Sequence, residues 1–114
     1  MTSIRMSMTF NVTGAADFDA HIDDVIENLL ELEAADARLS DSDIEAVLTE
    51  GLLTINVLAT DTTLDAASTL ANSAIRSAIH AAGGATPEWD AMATDADFVT
   101  TAEYSFIDQV LAKA

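Results

Sequence analysis

The chain has 114 residues, 50% of them hydrophobic, with 20 Asp and Glu against four Lys and Arg and a formal charge of −16. The apolar share is too high for a wholly disordered chain, and the length suits one domain. The absence of cysteine excludes disulfides, thiolate metal sites and a cysteine nucleophile, and such acidity opposes direct binding to nucleic-acid backbones or anionic membranes.

The first ten residues alternate apolar and polar types and lack the continuous apolar run of a signal peptide. No stretch approaches the roughly 18 apolar residues of a membrane helix. A cytoplasmic location fits both features. Ile4, Met6, Met8, Phe10 and Val12 alternate with Arg5, Ser7, Thr9 and Asn11, which predicts a strand with one apolar face. Gly14 punctuates the chain before an acidic helix running to about Ala37. In that helix Phe18, Ile22, Val25, Leu29 and Leu32 recur at helical spacing, with Ile26 and Leu30 widening the stripe. Asp17 and Asp19 fall in the opening turn, where the helix dipole favours negative charge.

Arg38 to Ser42 is polar and reads as a loop. Ile44, Ala46 and Leu48 predict the inward row of a short strand, with a helical turn as the competing reading. Glu50-Gly51 marks a reversal into a third strand, whose inward row is Leu53, Ile55, Val57 and Ala59; so short a connection predicts an antiparallel hairpin. Thr62 or Thr63 caps a second helix. Its stripe is Leu64, Ala67, Ala71, Ala74, Ala78 and Ala82, widened by Leu70, Ile75 and Ile79, and Gly83-Gly84 stops it. Thr86-Pro87 predicts the start of a short helix carrying Trp89 and Met92. A last strand is expected from about Asp97 to Ile107, with Phe98, Thr100, Ala102, Tyr104 and Phe106 on one face, and Val110 and Leu111 in a terminal turn.

The order β-α-β-β-α-β resembles a ferredoxin-like split βαβ domain of the α+β class. Its two helices cover one face of a four-stranded antiparallel sheet with the first and third strands central. The whole chain, 1–114, reads as one such domain. The resemblance is architectural and brings no function with it.

The residues that carry chemistry are few. Asp19, Asp23, Glu27 and Glu31 follow at four-residue steps along the first helix and form an acidic ridge, with Asp24 and Glu33 adding to its field. Like charges at this spacing cost a few tenths of a kcal/mol each, so helix stability does not account for them. Three explanations stand: recognition of a basic protein partner, imitation of the charge of DNA, or an acid-rich solvated surface suited to high salt. Asp41, Asp43 and Glu45 lack the Gly and terminal Glu of a calcium loop and read as loop charges. His21 and His80 lie in different helices, without metal-ligand spacing or a nucleophile, and read as surface or helix-end residues. Gly83-Gly84 is too little for a phosphate cradle, so neither metal nor cofactor is expected.

The face left bare by the helices has a polar centre of Ser7, Thr9, Asn11, Thr54 and Asn56. Leu52, Leu58 and Val99 give it apolar patches, and Arg5 and Glu103 are expected neighbours there. It lacks the aromatic pair and basic groove of RNA-binding relatives of the fold. It suits a homodimer or a protein partner. The expected function is that of a small, acidic, non-enzymatic protein-interaction or regulatory domain. Two alternatives remain: an acidic DNA mimic that inhibits a basic nucleic-acid-binding protein, and a small enzyme or ligand-binding domain using a histidine.

Overall fold

The computed structural model describes residues 1–14, 17–85 and 102–113. In chain order these form β1 (Thr2–Thr13), α1 (Phe18–Ala35), β2 (Leu39–Val47), β3 (Leu52–Asp61), α2 (Leu64–Ala81), the two-residue β4 (Gly84–Ala85) and β5 (Ala102–Lys113). The sheet order is β2-β3-β1-β5-β4. Its four long strands pair antiparallel, and β4 adds a short parallel pairing to the start of β5. This is the ferredoxin-like α+β arrangement, with β1 and β3 central. No helix among the described residues is long and apolar enough to cross a membrane.

Strict alternation builds the sheet's inner face. Ile4, Met6, Met8 and Phe10 are at most 1% exposed, as are Leu53, Ile55, Val57 and Ala59 directly across from them. Burying each large side chain of this set contributes about 1.5–3 kcal/mol. The helices close over this face. Val25 and Leu29 of α1 are fully buried, and α2 lays Ala67, Ala71, Ala74 and Ala78 on β1 and β3, with Ile75 and Ile79 beside them. Alanines at the contact let the helix backbone approach the sheet closely, and Asn28 of α1 donates to the Ala78 carbonyl of α2 at 3.1 Å. Asp17 and Thr63 cap the two helices, each accepting from a backbone N–H three residues on. Gly83, at φ +88°, closes α2 by donating its N–H to the His80 carbonyl.

Several expectations need correction. Leu30 and Leu64 are exposed rather than part of the apolar stripes. The stretch from Leu39 is strand, not loop, because Leu39 is buried in the core and Thr60 donates to the Arg38 carbonyl. A bulge between Ser40 and Asp43, with Asp41 at φ +52°, absorbs the polar residues that break the alternation. Val110 and Leu111 belong to β5, not to a terminal turn. Thr9 faces Asp108 whereas Phe10 faces Phe106, so Ile107 is an extra residue that reverses the alternation downstream. The antiparallel register pairs Arg5 with Ala112 and Glu103 with Thr13, so the expected Arg5–Glu103 neighbours stand at opposite ends of the strand pair whether or not the bulge is present. The predicted short helix at Thr86 to Met92, including Trp89, lies outside the described residues, as do Phe98, Val99 and Thr100.

Candidate interaction surfaces

Asp19, Asp23, Glu27 and Glu31 are all exposed on α1, and none makes an ion pair among the described residues. Each four-residue step turns a helix by 400°, so the row drifts by about 40° per step and about 120° over its length. The structure shows both ends of that drift. Asp19 stands at the edge of the sheet beside β2, whereas Glu31 borders the groove between α1 and α2. The ridge therefore crosses the outer surface of α1 diagonally. Arg38 is engaged elsewhere, bonded to Asp36 at 2.7 Å and to Asp61 at 3.0 Å. Its hydrogen bonds hold the Asp36 carboxyl down at about 2.

The β2 end of the ridge opens into a groove of about 480 Å³ between α1 and the edge strand. Ile22, Ile26, Ile44, Ala46 and Leu48 supply its apolar lining, and Asp19 and Asp43 its carboxylates. It forms because α1 turns Ile22 and Ile26 toward the sheet while β2, with no strand on its far side among the described residues, leaves its inward row only partly covered. In the middle of β2, where Ser42 also lines the groove, the Glu33 carboxylate accepts from the Ser42 N–H at 3.0 Å and fastens the bulge to α1. The Ser42 Oγ is buried there without a hydrogen-bond partner among the described residues.

The histidines are not surface residues. His21 is 6% and His80 8% exposed, although each stands near the end of its helix. His21 Nε2 lies 2.7 Å from the Tyr104 hydroxyl, and the Ala82 main chain also hydrogen-bonds the ring. One imidazole thus joins the start of α1, the end of α2 and β5. Burial lowers its pKa, against smaller opposing effects of the Ala82 bond and Asp24, so the ring is neutral at pH 7. With the ring neutral, Tyr104 donates to Nε2 and the other nitrogen is the donor to Ala82. Burial likewise pushes the Tyr104 phenol well above its ordinary range, and its ring packs edge-on against Phe10 with centroids 5.3 Å apart. His80, lowered first by burial and then by Arg76, is separate. Neither histidine lines the open grooves at the α1–β2 edge, beside Arg38, between the helices or beside Arg76. The His21–Tyr104 pair is a strut of the fold.

The helix-free sheet face has a different character. Ser3 bonds Thr60 at 2.7 Å, Thr9 bonds Thr54 at 2.9 Å, and Ser7 donates to Asn56, so the polar column on β1 and β3 is paired across the strands. Leu52 stands at one end of that column and Leu58 interrupts it between Ser3–Thr60 and Ser7–Asn56; both are half-buried, and Arg5, paired with Leu58, is the charged residue on its β1 and β3 positions. Val47 extends the apolar patch at Leu52, while Val110, beside Ser7, adds one on β5 at 55% exposure. Val110 escapes a reading by alternation because the Ile107 bulge decides which face it takes. No known protein family, curated protein or solved structure matches the chain.

Proposed function

We propose that this chain is a protein-interaction domain that takes a basic protein partner on its α1 side. The observation that carries this reading is the exposed diagonal row Asp19–Asp23–Glu27–Glu31, which has no cationic neighbour in ion-pair distance among the described residues. Such a row raises the local negative potential, which speeds and orients encounter with a positive surface. The buried His21–Tyr104 pair offers no accessible acid or base and gives an enzymatic reading no support.

The test is a titration of a purified basic partner from the source cells against the chain and against the triple variant Asp23→Asn/Glu27→Gln/Glu31→Gln. Affinity should fall at least about tenfold in the variant, and also in the unchanged chain on raising salt from about 50 to 500 mM. Unchanged affinity in the variant refutes the reading. Competition with duplex DNA for the partner's binding surface favours DNA mimicry instead. If the variant is instead stabilised in dilute salt, and the unchanged chain gains stability steeply toward molar salt, the acidity serves solvation.

A second reading is self-association through the helix-free sheet face, and the cross-strand pairing there favours it. Polar groups already bonded to one another can be buried without leaving orphaned donors, and the near-neutral β1–β3 column reduces repulsion between two copies. Sedimentation of the Leu58→Lys variant tests this reading: a dimer that persists unchanged refutes it.

A further inference from the structure

We infer that the groove between α1 and β2 receives an extended segment of the basic partner, added as a further strand to the free edge of β2. The inference rests on the docking reading above and names where and how that docking occurs. β2 ends the sheet, so alternate residues direct backbone N–H and C=O groups away from β3 with no strand to receive them among the described residues. A peptide strand satisfies those groups directly, as a helix or a flat protein surface does not.

The geometry fixes the length and pattern of that segment. Upstream of Asp43 the edge is broken by the bulge, by the left-handed Asp41 and by Glu33, which already accepts from the Ser42 N–H. Regular pairing is therefore confined to Asp43–Val47, a span matched by a segment of about five residues. Side chains of an added strand alternate between the two faces of the sheet. Those on the helix side enter beside Ile44 and Ala46 and beneath Ile22 and Ile26, and are apolar. Those on the other side stand next to Asp43 and Glu45, which are exposed. That row is Lys or Arg. Asp19 on the groove's lip, with Asp23 one turn further along α1, adds attraction without blocking the floor. No Lys or Arg is among the groove's lining residues. The recognised chemistry is an alternating apolar–basic extended peptide.

The probe is an end-blocked peptide of about eight residues alternating valine and lysine, followed by amide chemical shifts in dilute salt. Shifts should concentrate on residues 43–48 and on Ile22 and Ile26. Two N-methylated versions of the peptide, with the methyl groups on alternate residues in one phase or the other, should differ: one phase abolishes binding and the other spares it, because only one set of amides faces β2. Ala46→Lys, at an exposed edge position, should weaken binding by about tenfold or more, whereas Glu27→Gln/Glu31→Gln, away from the groove, should change it about twofold. Equal loss in the two variants, or equal loss with the two methylation phases, overturns strand addition at the groove while leaving acidic docking intact. Shifts centred on β5 also overturn it. Failure of the purified partner to respond to the ridge variant, with the peptide still binding at β2, refutes the wider reading alone.

Discussion

Replacing Tyr104 by Phe removes one oxygen from the protein interior and keeps the ring. The Phe10 contact and the buried apolar area are preserved, so the change isolates the bond to His21. Both partners are nearly inaccessible, at 4% and 6% exposure, and water cannot readily replace the hydroxyl. Removing one partner leaves the buried Nε2 acceptor unsatisfied, which costs more than the net bond itself, so a loss of about 1–3 kcal/mol is expected. At roughly 4 °C per kcal/mol for a domain of this size, Tm should fall by about 4–12 °C. Equilibrium urea unfolding at pH 7.5 and fixed salt measures the loss, and adding His21→Leu and the double variant completes a cycle that isolates the coupling. A Tyr104→Phe variant within about 0.5 kcal/mol of the parent would refute the strut and reopen His21 to a functional role.

Other perturbations test the remaining joints of the structure. Gly51 has φ +65°, and a Cβ there would meet the Val12 carbonyl oxygen at 2.8 Å, beside the 2.7 Å bond from Val12 N–H to the Gly51 carbonyl. Gly51→Ala should therefore cost about 2 kcal/mol or more in urea unfolding. Ser42→Ala should stabilise the fold by up to about 1 kcal/mol by removing a buried hydroxyl that lacks a partner among the described residues, and a loss of stability would show that Oγ is engaged. For pH, His21 and His80 both have lowered pKa values in the fold. The unfolded chain therefore binds the extra protons, and stability is fully present above about 6.5 and declines as pH falls below it. Urea midpoints across pH 8 to 5 measure this, and a midpoint that rises steadily through that window would mean that relief of acidic repulsion outweighs histidine burial.

Local patterns along the chain were enough to set the layers of the fold. Alternation in β1 and β3 and helical spacing in α1 and α2 act over a few residues, and each pattern has one way to bury its apolar side. Ile4 to Phe10, Leu53 to Ala59 and the alanine stripe therefore fell where the periodicity put them. The acidic ridge was legible for the same reason, since its spacing is a property of one helix. The bulges were not. Whether Ile107 or Asp41 is squeezed out of register depends on pairing with a distant strand, and that pairing decided the places of Val110, Arg5 and the Ser42 N–H. His21 and Tyr104 lie 83 positions apart, with no local pattern to join them, and only the closure of both helices over the sheet turns two polar residues into one buried bond. The groove has the same origin. Ile22 and Ile44 each looked like core, and they line an opening because tertiary structure placed β2 last in the sheet, where no further strand covers its edge.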